Sequence, residues 1–229
     1  MLQIRPSEER GHNEISWLDT RFTFSFDQYY DPAHVQFRSL RVLNEDIVAP
    51  GQGFGMHPHR DMEILTWVLD GALKHRDSMG NSGIIRPGEL QHMSAGTGVM
   101  HSEFNASATD PVHLLQIWIL PQRRGLKPGY EQLAFADADL RNQFSLVAGK
   151  KAPLTIHQDA NLYIARLDKG AKTAHKLDAD RYAWVQVAKG AVQVNGKPLE
   201  AGDGAAISNE AIVQVEALEL SEVLLFDMA

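Results

Sequence analysis

The stretch Met62–Asn81, "MEILTWVLDGALKHRDSMGN", decides the fold. It reads as two strands: an apolar run, a turn at Asp70-Gly71, a second run, and another turn over Ser78–Asn81. Its neighbours continue the theme. Upstream, "HVQFRSLRVLNEDIV" (34–48) is a strand with an alternating component. Downstream, "GIIRPGELQHMSAG" (83–96) is a strand, a Pro-Gly turn and a short strand, and "HLLQIWIL" (113–120) is a buried strand that ends before Pro121. Helical periodicity is scarce. Short runs of Val, Ile, Leu, Phe and Trp, cut by Gly, Pro, Asn and Asp, predict an all-β sandwich or barrel.

The pattern occurs twice. "TWVLDGALKH" (66–75) resembles "VQVAKGAVQV" (185–194) when Gly71 is set on Gly190, and "RPGELQHMSAG" (86–96) resembles "LEAGDGAAISN" (199–209) with Gly88 on Gly202. Asn195-Gly196 between "AVQV" and "KPL" signals a tight hairpin. The expectation is an internal duplication, two antiparallel β-barrel domains over 1–130 and 131–229. Residues 121–150 are polar, read as a connector rather than a lid, with a short helix around Asp137–Arg141. The apolar C-terminal run "EVLLFDMA" reads as a strand tied into a sheet.

Composition excludes several chemistries. The chain has no cysteine, so disulfides, thiolate metal sites and cysteine nucleophiles are absent. A metal would be held by imidazole and carboxylate. Hydrophobic content of 44% supports a packed core. Twenty-nine acids against 22 bases give a net charge of -7, which argues against nucleic acid or an anionic membrane as direct partner. No apolar run reaches the roughly 18 residues of a membrane span. The N-terminus has no signal-peptide core, so the cytoplasm is the expected location.

The candidate chemistry lies in "GQGFGMHPHRDMEILTWVLDG" (51–71) and "GTGVMHSEFN" (96–105). His57 and His59 sit at i and i+2, so an extended segment puts both on one face. Pro58 lacks a donor, which places the pair at a sheet edge or strand mouth. His101 and Glu103 repeat the spacing about forty residues later, and the hairpins between could join the pairs. Three imidazoles and a carboxylate suit Fe, Ni, Co, Mn or Zn and leave positions open on an octahedral ion. Glu63 has the parity of His57 and His59 in an unbroken strand, so it competes with Glu103 as a ligand or supports one from behind. His92 is a further candidate near the same turns. His12, His34, His75, His113, His157 and His175 have no such context and read as ordinary. Phe22, Phe24 and Phe26 alternate in "RFTFSF", and Phe54, Met56, Met100 and Phe104 flank the pairs. Such residues read as core before ligand wall, but a wall of Phe and Met would favour a flat aromatic ligand.

These segments resemble the cupin motifs. Gly51, His57, His59 and Glu63 match the first motif, with Gly71 one residue late; Gly98, His101 and Asn105 match the second. More closely, "WLDTRFTFSFDQYYDP" (17–32), "GFGMHPHRDMEILTWVLDG" (53–71), "MSAGTGVMHSEFN" (93–105), "LLQIWILP" (114–121) and "YAWVQVAKGAVQVNG" (182–196) resemble the pirin family. The resemblance is to its bacterial group, which includes proteins described as quercetin 2,3-dioxygenases. It implies a bicupin, two jelly-roll barrels with one divalent ion in the first only, Fe(II) foremost and Ni, Co, Mn, Cu or Zn as alternatives. It implies His57, His59, His101 and Glu103 as ligands, leaving Glu63 structural. It implies cleavage of a flavonol such as quercetin with O₂ and release of CO, with Glu103 as the proton-accepting catalytic group. The alternatives are a non-enzymatic metal-binding regulator of a protein partner, and an oxygenase or isomerase for another small enol or phenol.

Overall fold

The computed structural model describes all 229 residues, Met1–Ala229. The chain opens with β1 (Leu2–Arg5) and a 3-10 turn (Ser7–Glu9). Eleven strands follow: β2 (Gly11–Ile15), β3 (Leu18–Phe22), β4 (Leu40–Val48), β5 (Gly53–His59), β6 (Glu63–Asp70), β7 (Leu73–Asp77), β8 (Ser82–Ile85), β9 (Glu89–Ser94), β10 (Val99–Asn105), β11 (Val112–Ile119) and β12 (Gly129–Ala134). One helical turn, α1 (Asp137–Leu140), precedes ten more: β13 (Ser145–Gly149), β14 (Leu154–Thr155), β15 (Ala160–Leu167), β16 (Lys172–Lys176), β17 (Tyr182–Lys189), β18 (Ala191–Val194), β19 (Lys197–Glu200), β20 (Gly204–Ile207), β21 (Ile212–Ala217) and β22 (Ser221–Met228). The all-β class and the short helix agree with the sequence.

Two compact units result. One is Gly11–Ala134; the other joins Met1–Arg10 to Phe135–Ala229. In the first, a seven-stranded sheet of order β12-β9-β6-β11-β4-β3-β2 packs on a four-stranded sheet of order β5-β10-β7-β8. In the second, the orders are β1-β20-β17-β22-β15-β13-β14 and β16-β21-β18-β19. Setting β5 on β16, β6 on β17 and so on through β11 on β22 makes the two topologies coincide around their centres. The glycines that suggested a repeat have matching backbones: Gly71 and Gly190 at φ +77° and +79°, Gly88 and Gly202 at +89° and +87°. These are left-handed conformations that only glycine adopts without strain. Asn195 and Gly196, at φ +47° and +77°, make the hairpin turn their sequence signals.

Strand position follows residue pattern. β6, "EILTWVLD", is apolar on both faces and lies near the middle of the large sheet, buried from Glu63 to Leu69. β7, "LKHRD", and β10, "VMHSEFN", alternate buried with exposed, as expected of a sheet with one wet face. The inner face of the large sheet is not uniformly apolar. A register row crosses it through Asn44 (β4), Gln116 (β11), Thr66 (β6) and Gln91 (β9), all buried. An apolar row flanks it on one side, through Val42, Trp118, Ile64 and Met93, and on the other runs a row of Asp46, Leu114 and Val68. Buried polar groups must find partners or a function, and this row sits under the histidines. In the second unit the matching interior is apolar: Val185, Val187, Val192, Val213, Val215 and Leu225 are all buried in one cluster. It offers no comparable set of histidines; His175 in β16 instead meets Asp227 at 2.8 Å.

Candidate metal centre

His57, His59 and His101 lie together, and Glu103 lines the same cavity beside His101. β5 is the edge strand of the small sheet, where proline is tolerated because a partner strand lies on one side only. β5 and β10 pair antiparallel with His57 opposite His101, Pro58 opposite Met100 and His59 opposite Val99. Alternation turns His57, His59 and His101 inward and Met56 and Met100 outward, where both are exposed. The ring centroids are 4.4 Å (His57–His101), 4.7 Å (His57–His59) and 4.8 Å (His59–His101) apart. Nitrogens of all three lie within 4.8 Å of one another. The register slips between His101 and Glu103, so that Glu103 faces Phe54. This bulge lets Phe54 and His57, an odd number of residues apart, both line the interior. It also brings the backbones very close. A Cβ on Gly53 would lie 2.1 Å from the Glu103 carbonyl oxygen, so this position requires glycine.

The nitrogens show what the site is for. His57 Nδ1–H donates to the Gly55 carbonyl at 2.7 Å, which leaves Nε2 as its free acceptor. His59 Nε2 and both ring nitrogens of His101 are buried without a hydrogen bond. Each such atom costs about 1–3 kcal/mol in a protein that only needs to fold. Burial, then the neighbouring His101 and His57, push the His59 pKa down to about 3. Burial, then His57 and His75, push that of His101 down to about 3 as well. Both imidazoles are neutral at pH 7 and present lone pairs, as ligands for a divalent ion must. The donor set fits such an ion.

Glu103 is buried on the other side of His101. Gln116 Nε2 donates to its Oε2 at 3.0 Å and to its Oε1 at 3.2 Å, and Thr66 Oγ1 donates to Oε1 at 3.3 Å. Burial raises its pKa; nearby His75, Gln116 and His57 oppose this without cancelling it.

His75, read from sequence as ordinary, proves to be part of the cluster. It is buried on β7 directly opposite Glu103 on β10, and it, His101 and Glu103 bring ligand atoms within 4.8 Å of one another. Its nitrogens are occupied, however. Gln91 Nε2 donates to Nδ1 at 3.2 Å, and Nε2–H points to Asp77 Oδ2 at 3.4 Å. The ring stacks on Tyr130 at 5.0 Å. The two clusters share His101; in the first, His57, His59 and His101 each keep a vacant nitrogen, whereas in the second His75 does not. The signal for His75 was the inward parity of "LKHRD", visible only once β7 is paired with β10.

Glu63 is not beside these imidazoles in one strand. β5 ends at His59, Asp61 takes a positive φ of 51°, and Glu63 begins β6 in the other sheet. There it is fully buried, accepting from His92 Nε2 at 2.9 Å and Ser94 Oγ at 2.7 Å. His92 also lies 3.5 Å from Glu131. Burial disfavours its charge, but the bonds to Glu131 and Glu63 outweigh this and raise its pKa. Three of the remaining histidines meet surface-side acids: His12 with Asp19, His34 with Asp31 and His113 with Glu45.

A cavity of about 160 Å³ adjoins the triad. Phe22, Phe26, Phe54 and Trp118 wall it, whereas Met100 and Phe104 face outward. Trp118 meets the His59 ring at 4.8 Å and Phe26 at 5.3 Å, both edge-on. Phe24 is core. Asp46, on the cavity wall, accepts from Thr20 Oγ1 at 2.5 Å, and burial pushes its pKa up to about 7, against the Thr20 bond and with help from Glu103.

The pirin family model matches residues 3–119, and a model described as the quercetinase C-terminal cupin domain matches residues 146–228. The chain belongs to the pirin family. It is 48% identical over 229 residues to the quercetin 2,3-dioxygenase of Escherichia coli K12, covering 100% of this chain and 99% of that one. A putative quercetin 2,3-dioxygenase of Pasteurella multocida is 47% identical, with 100% of both chains covered. The crystal structure of E. coli YhhW superposes with a TM-score of 0.96 at 47% identity, covering 100% and 98% of the two chains. A structure of that bacterial pirin in complex with nickel(II) superposes at 0.94, covering 100% and 99%. No helix of this pirin is long and apolar enough to cross a membrane.

Proposed function

We propose that this pirin is a metal-dependent dioxygenase that opens the heterocycle of a flavonol such as quercetin, with His57, His59, His101 and Glu103 holding one divalent ion. The observation that carries the reading is the set of buried, unpartnered nitrogens on His59 and His101, beside an aromatic-walled cavity. Fe(II) is the proposed ion, and the nickel complex of the E. coli relative makes nickel the first alternative to load. The bound ion supplies Lewis acidity toward the flavonol 3-hydroxyl and a centre at which O₂ reacts.

The protein's own groups do the rest. The cavity volume is close to the roughly 150 Å³ that admits a benzene ring. One ring system enters, edge-bounded by Trp118 and the phenylalanines, and the remainder lies toward the mouth. Glu103 takes the 3-hydroxyl proton: its carboxylate lines the cavity beside His101, and Gln116 and Thr66 hold it in place. The apolar walls exclude water from the reacting ring. O₂ is the oxidant, both its atoms end in the depside, and one ring carbon leaves as CO, so no external reductant is needed. The test is anaerobic loading with Fe(II) or nickel(II), then quercetin and O₂. Loss of the flavonol with release of CO, abolished by Glu103→Ala and His59→Ala, is expected. No turnover with Fe, Ni, Co, Mn or Cu sinks this reading.

One observation favours a second reading, a metal-dependent regulator of a protein partner. The strands that carry the histidines expose Met56, Met100 and Phe104 on their outer face, at 48%, 43% and 38% exposure. That reading predicts a partner retained only by metal-loaded protein; retention after metal removal counts against it.

A further inference from the structure

The polar row across the large sheet has four members: Gln116 and Thr66 are accounted for, and Gln91 is only in part, since its Oε1 is buried without a partner but lies outside the cavity lining. Gln116 and Thr66 hold Glu103, and Gln91 holds His75. The fourth, Asn44, has only 4% exposure, lines the cavity, and its Oδ1 has no hydrogen bond. Asp46, next along the same face of β4, is already engaged by Thr20. A second orphan sits nearby. Trp118 Nε1 is buried without an acceptor, and Trp118 also lines the cavity. Asn44 pairs with Gln116, so Trp118, two residues beyond Gln116, is its diagonal neighbour across the β4–β11 ladder. Such neighbours stand about 7–8 Å apart, within reach of one ring. The row places Asn44 one strand, about 4.8 Å, beyond Gln116, on the far side from Thr66 and the β6 edge of the site. The two groups are complementary: one accepts and one donates. Neither polar atom serves the fold, since each orphan costs about 1–3 kcal/mol, and neither is a nitrogen of the histidine cluster, against which the Trp118 ring packs edge-on.

We propose that Asn44 and Trp118 form a recognition subsite for a hydroxylated aromatic ring, with a ring hydroxyl donating to Asn44 Oδ1 and Trp118 Nε1 donating to an oxygen of the same molecule. The substrate class is thereby narrowed: a compound bearing at least one hydroxyl besides the oxygen directed at the histidines. A site built to pair with a hydroxyl rejects the analogue that lacks it, because its own groups then stay unpaired. This rests on the reading of the cavity as a substrate site, but not on the reaction performed there.

The experiment measures binding of two probes, quercetin and 3-hydroxyflavone, to nickel-loaded full-length protein by calorimetry under anaerobic conditions. The second probe keeps the 3-hydroxyl and lacks the others. Wild type is expected to prefer quercetin by about tenfold or more. Asn44→Leu, which matches the size of the side chain without its polarity, is expected to lose about tenfold more affinity for quercetin than for 3-hydroxyflavone. Trp118→Phe, which removes the N–H and keeps an aromatic wall, is expected to shift the ratio in the same direction by about threefold. It serves as the second variant should Asn44→Leu fail to load metal. Equal losses on both probes, an unchanged ratio in both variants, or no binding of either probe to wild type overturns the proposal. Turnover with O₂ is read separately. A selective ratio without turnover removes the dioxygenase reading and leaves the subsite; turnover with a ratio indifferent to both variants removes the subsite alone.

Discussion

His57 and His101 are direct cross-strand partners, and their ring centroids lie 4.4 Å apart. Two imidazoles so close, with both His101 nitrogens buried and unpaired, are a poor way to stabilise a sheet. Replacing His101 by leucine removes two orphaned polar atoms, so the metal-free variant should match or exceed wild-type stability, by up to about 1–3 kcal/mol for each atom. Metal content should fall from one ion per chain to near zero. Denaturant melts of chelator-treated protein, paired with elemental analysis, check both. A strongly destabilised His101→Leu would show that the imidazole serves packing instead.

The two glutamates should separate cleanly. Glu63 and His92 form a buried pair at 2.9 Å, and removing one partner of such a pair costs about 3–5 kcal/mol. Glu63→Gln should therefore melt early while keeping its metal. The raised pKa of His92 sets the pH dependence. The pair contributes fully below the unfolded histidine value of about 6.5 and fades as pH rises through the raised folded value, so the deficit should be larger at pH 6 than at pH 9. Glu103→Gln should do the opposite, folding well and losing metal affinity. Loss of metal from Glu63→Gln would transfer the ligand role to Glu63.

The sheet class, the repeat and the i, i+2 pairs were legible because they are local. Alternation in "HPH" and "HSE" fixes two faces whatever the rest of the chain does, and Gly71 and Gly190 mark equivalent turns by their φ alone. What was not legible depends on registers between distant strands. His75 enters the cluster only because β7 lies opposite Glu103. Glu63 leaves it because the chain changes sheets at Asp61, which breaks the parity that tied it to His57 and His59. Asn44 gains its meaning from a row of four strands that no window of sequence contains.

The neutral imidazoles predict an acid response. The His59 pKa is held down to about 3, so between there and about 6.5 the unfolded chain binds a proton that the folded one refuses. Stability then rises with pH across this window and falls as pH drops through it, with a slope of about 1.4 kcal/mol per pH unit for each such group. His59→Leu should flatten the slope of the metal-free protein between pH 4.5 and 6, by less than that amount because His59 is only partly buried and solvent screens it. Melts at four pH values in that range measure it. A variant with the wild-type slope would mean that His59 protonates freely in the folded state.

Asp46 predicts the reverse. Its pKa rises from 3.8 to about 7, so the folded protein holds a proton that the unfolded chain releases above about pH 4. Stability is lost as pH climbs through this window. The full cost at pH 8 is bounded by three units at 1.36 kcal/mol each, about 4 kcal/mol. Asp46→Asn keeps an acceptor for Thr20 Oγ1 and removes the ionisation. The metal-free variant should gain up to that amount over wild type at pH 8 and almost nothing at pH 4. The comparison isolates Asp46 because histidines near the cavity are unchanged in both proteins. An equal gain at the two pH values would show that packing, and not the buried charge, separates the variants.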